Sequence, residues 1–145
     1  MKATWNSVAF VSIVSGLIGF GLFFASATIF WRIHPYSDNA TAEEIKLVWA
    51  IHVLSEKLFG FLVLVICAIG AAIPLRRNWR YGFVAAIGSG ITFQAIIIIA
   101  YVARFGFTPY LEHNRFWSTM CTTIAISALF GFLSIWGSYR RENKH

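Results

Sequence analysis

Long apolar stretches constrain this chain more than any other feature of its sequence. From Val8 to Trp31 no residue is charged, and three comparable stretches follow. A helix needs about 20 apolar residues to cross a bilayer, and it satisfies its own backbone hydrogen bonds where lipid cannot. We therefore predict an all-α integral membrane protein, a four-helix bundle with spans at about residues 8–31, 47–75, 81–102 and 113–137.

The composition supports this class of protein. Of the 145 residues, 58% are hydrophobic and 12% are charged, whereas a soluble domain is about half apolar and about a quarter charged. These values exclude a water-soluble globule, a disordered chain and a disulfide scaffold. Four spans with short connections use the whole length, so residues 1–145 form a single domain. Any chemistry must then take place within the membrane or at its surface.

The positive charge of the chain predicts its orientation. The formal net charge is +6, which in a soluble protein would suggest binding to nucleic acid. Here the basic surplus flanks the spans on one side, so we predict no nucleic-acid partner. By the positive-inside rule, both termini are cytoplasmic and the protein is a multi-pass protein of the cell membrane, surrounded by lipid. The residues on the basic side are Lys2, Arg76, Arg77, Arg80, Arg140, Arg141 and Lys144.

Small residues recur four positions apart in three of the spans. In lipid, where no hydrophobic force drives helices together, small side chains let the backbones approach closely. The spacing therefore predicts a compact bundle packed through these positions. They are Ser12 with Gly16, Ser15 with Gly19, Gly82 with Ala86 and Gly90, and Ser127 with Gly131.

Two histidines are the strongest candidates for chemistry. The topology places His52, about one and a half turns into helix 2, and His113, at the start of helix 4, at one level near the outer face. Two imidazoles at one depth on separate helices suit the axial positions of a haem iron, so we predict one haem of b, o or a type ligated by both. Two alternatives remain open. Each histidine could hydrogen-bond to a loop carbonyl instead, or the pair could bind copper or zinc with a third ligand from His34, Glu56 or Glu112.

Other polar residues complete the predicted cofactor site. Arg32, Arg104 and Arg115 lie at the outer boundary, where guanidinium groups can pair with the haem propionates. Gln94 lies within the otherwise apolar third span. An amide at that depth must bond to another helix or line a cavity. We therefore assign these four residues to cofactor binding.

Glu56 is the candidate catalytic residue. It follows His52 by four positions, which places it one turn further along the same side of helix 2. Its carboxylate could form an ion pair with Lys57, Arg104 or Arg115, stay protonated, or transfer protons. A structural ion pair and a role in proton transfer both remain open from the sequence.

These residues together resemble the haem A synthase family. Members contain two tandem four-helix halves, and in each half one histidine opens the second helix and another opens the fourth. The chain is similar to one such half over about residues 8–137. His52 and His113 fall where the two family histidines would be. Gln94 and the segment 105–109 are similar to the glutamine of the third helix and the glycine-proline loop after it.

The resemblance implies a haem-binding oxidoreductase of haem biosynthesis that oxidises a methyl group of haem O to a formyl group. A homodimer would then rebuild the eight helices of the family. The family's catalytic half has a glutamate three residues before the first histidine and an arginine directly after it, where this chain has Trp49 and Val53. Two alternatives remain: a non-catalytic accessory subunit of a respiratory or other energy-converting complex, and a quinone-reactive cytochrome b anchor.

Overall fold

The structure is a computed structural model that describes residues 4–33, 41–105 and 115–142. These residues form four α-helices: α1 (Trp5–Ile33), α2 (Ala42–Ala72), α3 (Trp79–Phe105) and α4 (Arg115–Glu142). A short 3₁₀ turn, Ile73–Leu75, continues α2. Each α-helix is long and apolar enough to cross a membrane. The prediction of an all-α protein with four candidate membrane spans is therefore confirmed for the described part of the chain.

Helices α1 and α3 extend beyond the predicted spans at both ends, α4 begins two residues later and ends five residues later than predicted, and α2 differs most at its start. It begins at Ala42 rather than near residue 47, because Thr41 and Glu44 form a capping box. The Thr41 hydroxyl accepts from the Glu44 backbone N–H at 3.3 Å, and the Glu44 carboxylate accepts from the Thr41 N–H at 2.7 Å. His52 consequently lies about 15 Å along the axis from the start of α2, further from the helix start than the one and a half turns expected from the sequence.

The small residues of α1 pack against α3, and the two helices run in the same direction. The Ser12 hydroxyl shares its proton between the Val8 carbonyl of α1 at 2.8 Å and the Ala85 carbonyl of α3 at 3.2 Å. At Gly16, an added Cβ would lie 2.6 Å from the Cβ of Thr92. The contact therefore requires glycine at this position, as the spacing of small residues predicts.

The small residues of α3 and α4 meet in the same way, with the two helices antiparallel. Gly90 lies against Ser127, and Gly131 lies against the Cβ of Ala86. A further contact joins Gly82 to Ile135. The prediction that these positions mediate helix packing is confirmed.

A reciprocal pair of hydrogen bonds joins α1 to α2. The Ser15 hydroxyl donates to the Cys67 carbonyl at 2.9 Å, and the Cys67 thiol donates to the Ser15 carbonyl at 3.3 Å. Gly19 leaves the space that the thiol occupies. Cys67 therefore has a structural role in this contact.

The two ends of the bundle differ in character. Helices α2 and α3 each contact the three other helices, and α1 and α4 flank this central pair. Towards the turn between α2 and α3, the core consists of alanines that are completely buried. Towards the opposite end, the helices are separated by aromatic side chains and by a polar cleft. The buried alanines are Ala68, Ala71, Ala72, Ala85 and Ala86.

Candidate functional site

His52 is buried against the aromatic end of α1. It is 2% exposed. The imidazole stacks on the ring of Trp31, with 3.6 Å between centroids and 16° between planes. The Phe30 ring meets it edge-on, with a centroid distance of 4.9 Å. Two aromatic contacts of this kind hold the imidazole in one orientation.

The fold explains why these three rings meet. Helices α1 and α2 are antiparallel, so the last turn of α1 lies beside the first half of α2. Phe30 and Trp31 are neighbours in sequence, and Phe30 also packs edge-on against Phe59, 6.1 Å away, on the next part of α2. The aromatic residues at the end of α1 therefore pack against His52.

A polar cleft of about 490 Å³ lies between α2, α3 and α4. Glu56 and Lys57 of α2 line it, together with Gln94 of α3. Helix α4 contributes four hydroxyl groups on one side. These are Ser118, Thr119, Thr122 and Thr123. The structure therefore brings together two of the predicted site residues, Glu56 and Gln94.

Gln94 has the interhelical partner that the sequence predicts. It is 6% exposed, and its side-chain carbonyl accepts from the Thr123 hydroxyl of α4 at 3.5 Å. Thr123 is itself buried. The amide thus both lines a cavity and joins two helices, which are the two outcomes expected for a polar side chain at this depth.

Glu56 and His52 have different surroundings despite their spacing. Residues four apart on a helix are displaced by about 40° around its axis. This displacement is enough for His52 to pack against α1 while Glu56 is exposed in the polar cleft, whose described lining does not include His52. The two residues lie on adjacent turns of α2, but their side chains face different parts of the bundle.

The remaining predicted residues are described only in part. Arg32 is exposed at the end of α1, directly after Trp31. His113 lies outside the described residues, as do the side chains of Arg104 and Arg115. The predicted pairing of His113 with His52, and of Glu56 with either arginine, therefore stays a prediction.

The alternative of a copper or zinc site gains no support from the described residues. Among them, no group of three His, Cys, Asp or Glu side chains could hold a metal ion. Two of the proposed third ligands, His34 and Glu112, lie outside the described residues. The third, Glu56, faces the polar cleft rather than the aromatic surroundings of His52.

The polar cleft combines charged, hydrogen-bonding and apolar groups. A carboxylate, an ammonium group, an amide and four hydroxyls stand among apolar walls that include Phe61, Leu64 and Phe93. Such a lining suits a ligand with an apolar body and a few oxygen atoms. The hydroxyl groups of α4 were not among the predicted site residues. Their spacing in the segment 118–123 could have predicted this hydroxyl-bearing wall, because it places the four side chains on one side of a helix.

No known protein family, curated protein or solved structure matches this chain. The resemblance to haem A synthases therefore rests on the residues around His52, Gln94 and His113 and on the order of the four spans.

Proposed function

We propose that this chain is a haem-binding membrane protein, similar to one half of a haem A synthase, in which His52 would hold the haem iron. The observation that carries the proposal is the burial of the His52 imidazole between two aromatic rings near one end of the bundle. A porphyrin supplies four nitrogen ligands itself and needs only one or two imidazoles from the protein. One imidazole would be enough to hold a haem, whereas a bare metal ion would need further protein ligands.

The rest of the proposed site follows from the sequence. His113 would provide a second imidazole to hold the haem, and Arg32, Arg104 and Arg115 would pair with the propionates. A bound haem would supply the redox chemistry. The chain's own part is to fix the imidazole of His52 and to exclude water with the aromatic end of α1.

Since His52 does not line the polar cleft, Glu56 and Gln94 would act in the oxidation of a haem methyl group only if the haem extends from His52 into that cleft. Glu56 would accept or release a proton in the cleft, and the Gln94 amide would orient an oxygen-bearing substituent. The Thr123 hydroxyl keeps that amide in place. Because one chain has half the helices of the family, we propose that a homodimer is the active form.

The proposed orientation in the cell membrane places both termini in the cytoplasm. In the fold, the α2–α3 turn and the end of α4 lie at the same end of the bundle, where Arg76 and Arg77 share a cleft with Tyr139. The basic residues of separate segments thus collect at one end, as the positive-inside rule requires.

Absorption spectroscopy tests haem binding directly. The protein, purified after expression with ample haem, should show a Soret band and a low-spin bis-histidine spectrum. His52→Phe keeps an aromatic ring beside Trp31 and should lose that spectrum with its helix content unchanged. His145→Ala, in the tail, is the matched control and should keep it. A colourless wild-type protein, or an unchanged Soret band in His52→Phe, would refute the proposal.

A quinone-reactive cytochrome b anchor is the second candidate. The hydroxyl-rich wall of the polar cleft favours it, because hydroxyl and amide groups can donate hydrogen bonds to quinone carbonyls. In that case, quinol would reduce the bound haem, and Gln94→Leu would slow this reduction without altering the Soret band. A colourless protein that co-purifies with larger subunits would instead identify an accessory subunit of an energy-converting complex.

A further inference from the structure

The polar cleft is charged and polar at one end and apolar at the other. On α2, the charged residues Glu56 and Lys57 come before the apolar residues Phe61 and Leu64. On α4, the hydroxyl groups likewise come before Ile126. Both helices run antiparallel to α3, so they run in the same direction. The polar groups of the two walls therefore lie at the same end of the cleft, and the apolar groups lie deeper in the bundle.

Glu56 and Lys57 give the polar end one negative and one positive charge. Neither side chain forms a hydrogen bond or an ion pair with another residue in the described part of the chain. Consecutive residues on a helix point in directions about 100° apart around its axis, so these two side chains do not face each other. They therefore suit two separate charged groups of one ligand, a cation at Glu56 and an anion at Lys57.

The Gln94 amide adds a hydrogen-bond donor to the cleft. The side chain lines the cleft but is only 6% exposed, and its carbonyl accepts from the Thr123 hydroxyl. An amide also carries two N–H donors, and those of Gln94 have no acceptor among the described residues. A ligand that places a carbonyl oxygen there would complete the hydrogen bonds of this largely buried amide.

The order of groups along the cleft matches one class of membrane molecule. A quinone offers carbonyl acceptors but no cation for Glu56. A small soluble zwitterion would leave the apolar walls unfilled. An aminophospholipid presents an ammonium group, a phosphate, ester carbonyls and then acyl chains, which is the sequence of partners that the cleft offers from its polar end to its apolar end.

We propose that the polar cleft binds phosphatidylethanolamine from the surrounding bilayer. Its ammonium group lies at Glu56, its phosphate at Lys57 and an ester carbonyl at the Gln94 amide, while one acyl chain packs against the deeper apolar walls. A haem that stays beside α1 at His52 leaves this cleft to the lipid. The proposal does not rest on haem binding, since a colourless protein would still retain the lipid.

Native mass spectrometry of the full-length wild-type protein in neutral detergent tests the choice of headgroup. When equal amounts of three dioleoyl lipids are added, the protein should retain phosphatidylethanolamine about tenfold or more over phosphatidylglycerol and phosphatidylcholine. Phosphatidylglycerol keeps the phosphate but has no cation for Glu56. Phosphatidylcholine keeps both charges, but its methylated nitrogen donates no hydrogen bond.

Variants assign the polar groups of the lipid to their partners. Glu56→Gln should lower retention of phosphatidylethanolamine about tenfold and change that of phosphatidylglycerol less than about twofold. Lys57→Gln should lower retention of both lipids, because both carry the phosphate, and Gln94→Leu should do so because both carry the ester carbonyl. Glu43→Gln and Lys46→Gln remove like charges from exposed positions of α2 outside the cleft lining and are the matched controls, with no change expected.

Competition separates the lipid from other occupants of the cleft. Excess decylubiquinone, and loading of the protein with haem, should each leave phosphatidylethanolamine bound. Equal retention of the three lipids, unchanged retention of phosphatidylethanolamine in Glu56→Gln, or its displacement by either competitor would overturn the proposal. The comparison of the three lipids uses the wild-type protein alone, so it decides the matter even if a variant fails to fold.

Discussion

Replacing Gly131 by alanine tests whether close contact of α3 and α4 holds the bundle together. A Cβ at Gly131 would fall well inside van der Waals contact with the Cβ of Ala86, which is 0% exposed. Both atoms are bonded directly to backbone, so neither can rotate away and the helices must move apart. Overpacking of this kind costs about 1–3 kcal/mol.

Gly137 provides the control on the same helix, because an added Cβ there meets nothing within 4 Å. Gly131→Ala and Gly137→Ala gain the same helix propensity, so the difference between them isolates the packing contact. Unfolding in SDS, followed by tryptophan fluorescence and circular dichroism, should show Gly131→Ala less stable than Gly137→Ala by about 1–3 kcal/mol.

A double variant makes the test specific for the contact with Ala86. Ala86→Gly removes the atom that the new methyl group would meet, so Ala86→Gly/Gly131→Ala should recover part of the loss. We expect a favourable coupling of about 1–2 kcal/mol in the double-mutant cycle. Equal SDS midpoints for Gly131→Ala and Gly137→Ala, or independent effects of the two substitutions in the cycle, would refute the packing argument.

Three further outcomes are expected from contacts within the helices. Ser12→Ala removes a hydrogen bond to α3 and should lower stability in SDS by about 0.5–1 kcal/mol, whereas Thr28→Ala, whose hydroxyl bonds only within α1, should have no measurable effect. A membrane-permeant maleimide should modify the exposed Cys121, and it should modify the buried Cys67 only after SDS is added. The intact mass of the protein measures both reactions, and equal rates at the two thiols would contradict the α1–α2 contact. Thr41→Ala removes the capping box and should speed hydrogen exchange in the first turn of α2 alone.

Hydropathy and the spacing of small residues predict most of this fold. The absence of charge from Val8 to Trp31 locates α1, and Ser12, Gly16, Gly90 and Gly131 mark the helix contacts that the structure contains. Both signals are local in sequence, and both arise because lipid offers no hydrogen bonds to the backbone and no hydrophobic force between helices. They can therefore be recognised in a single sequence.

The helix ends were harder to predict because hydropathy measures only the apolar part of a helix. The segment from Thr41 to Glu44 has the capping-box pattern that starts α2, yet it is too polar to count as part of a span. For this reason the sequence places the start of α2 too late, and the distance of His52 from that start comes out too short.

The surroundings of the candidate site depend on how the helices are rotated, which a single sequence does not reveal. To predict the contact of Trp31 with His52, one would need to know which sides of α1 and α2 face each other. The same holds for Glu56, which the spacing of four placed beside His52 but which is exposed in the polar cleft. The interhelical contact of Gln94 was easier to predict, since a lone amide in an apolar helix must find a partner whichever way the helix is rotated.

The completely buried alanines give one half of the bundle a closely packed core. Near Ala72 and Ala86 the backbones are so close that separation would break many contacts at once. In the other half the polar cleft already leaves about 490 Å³ between α2, α3 and α4, so a motion that separates the helices there would break fewer contacts.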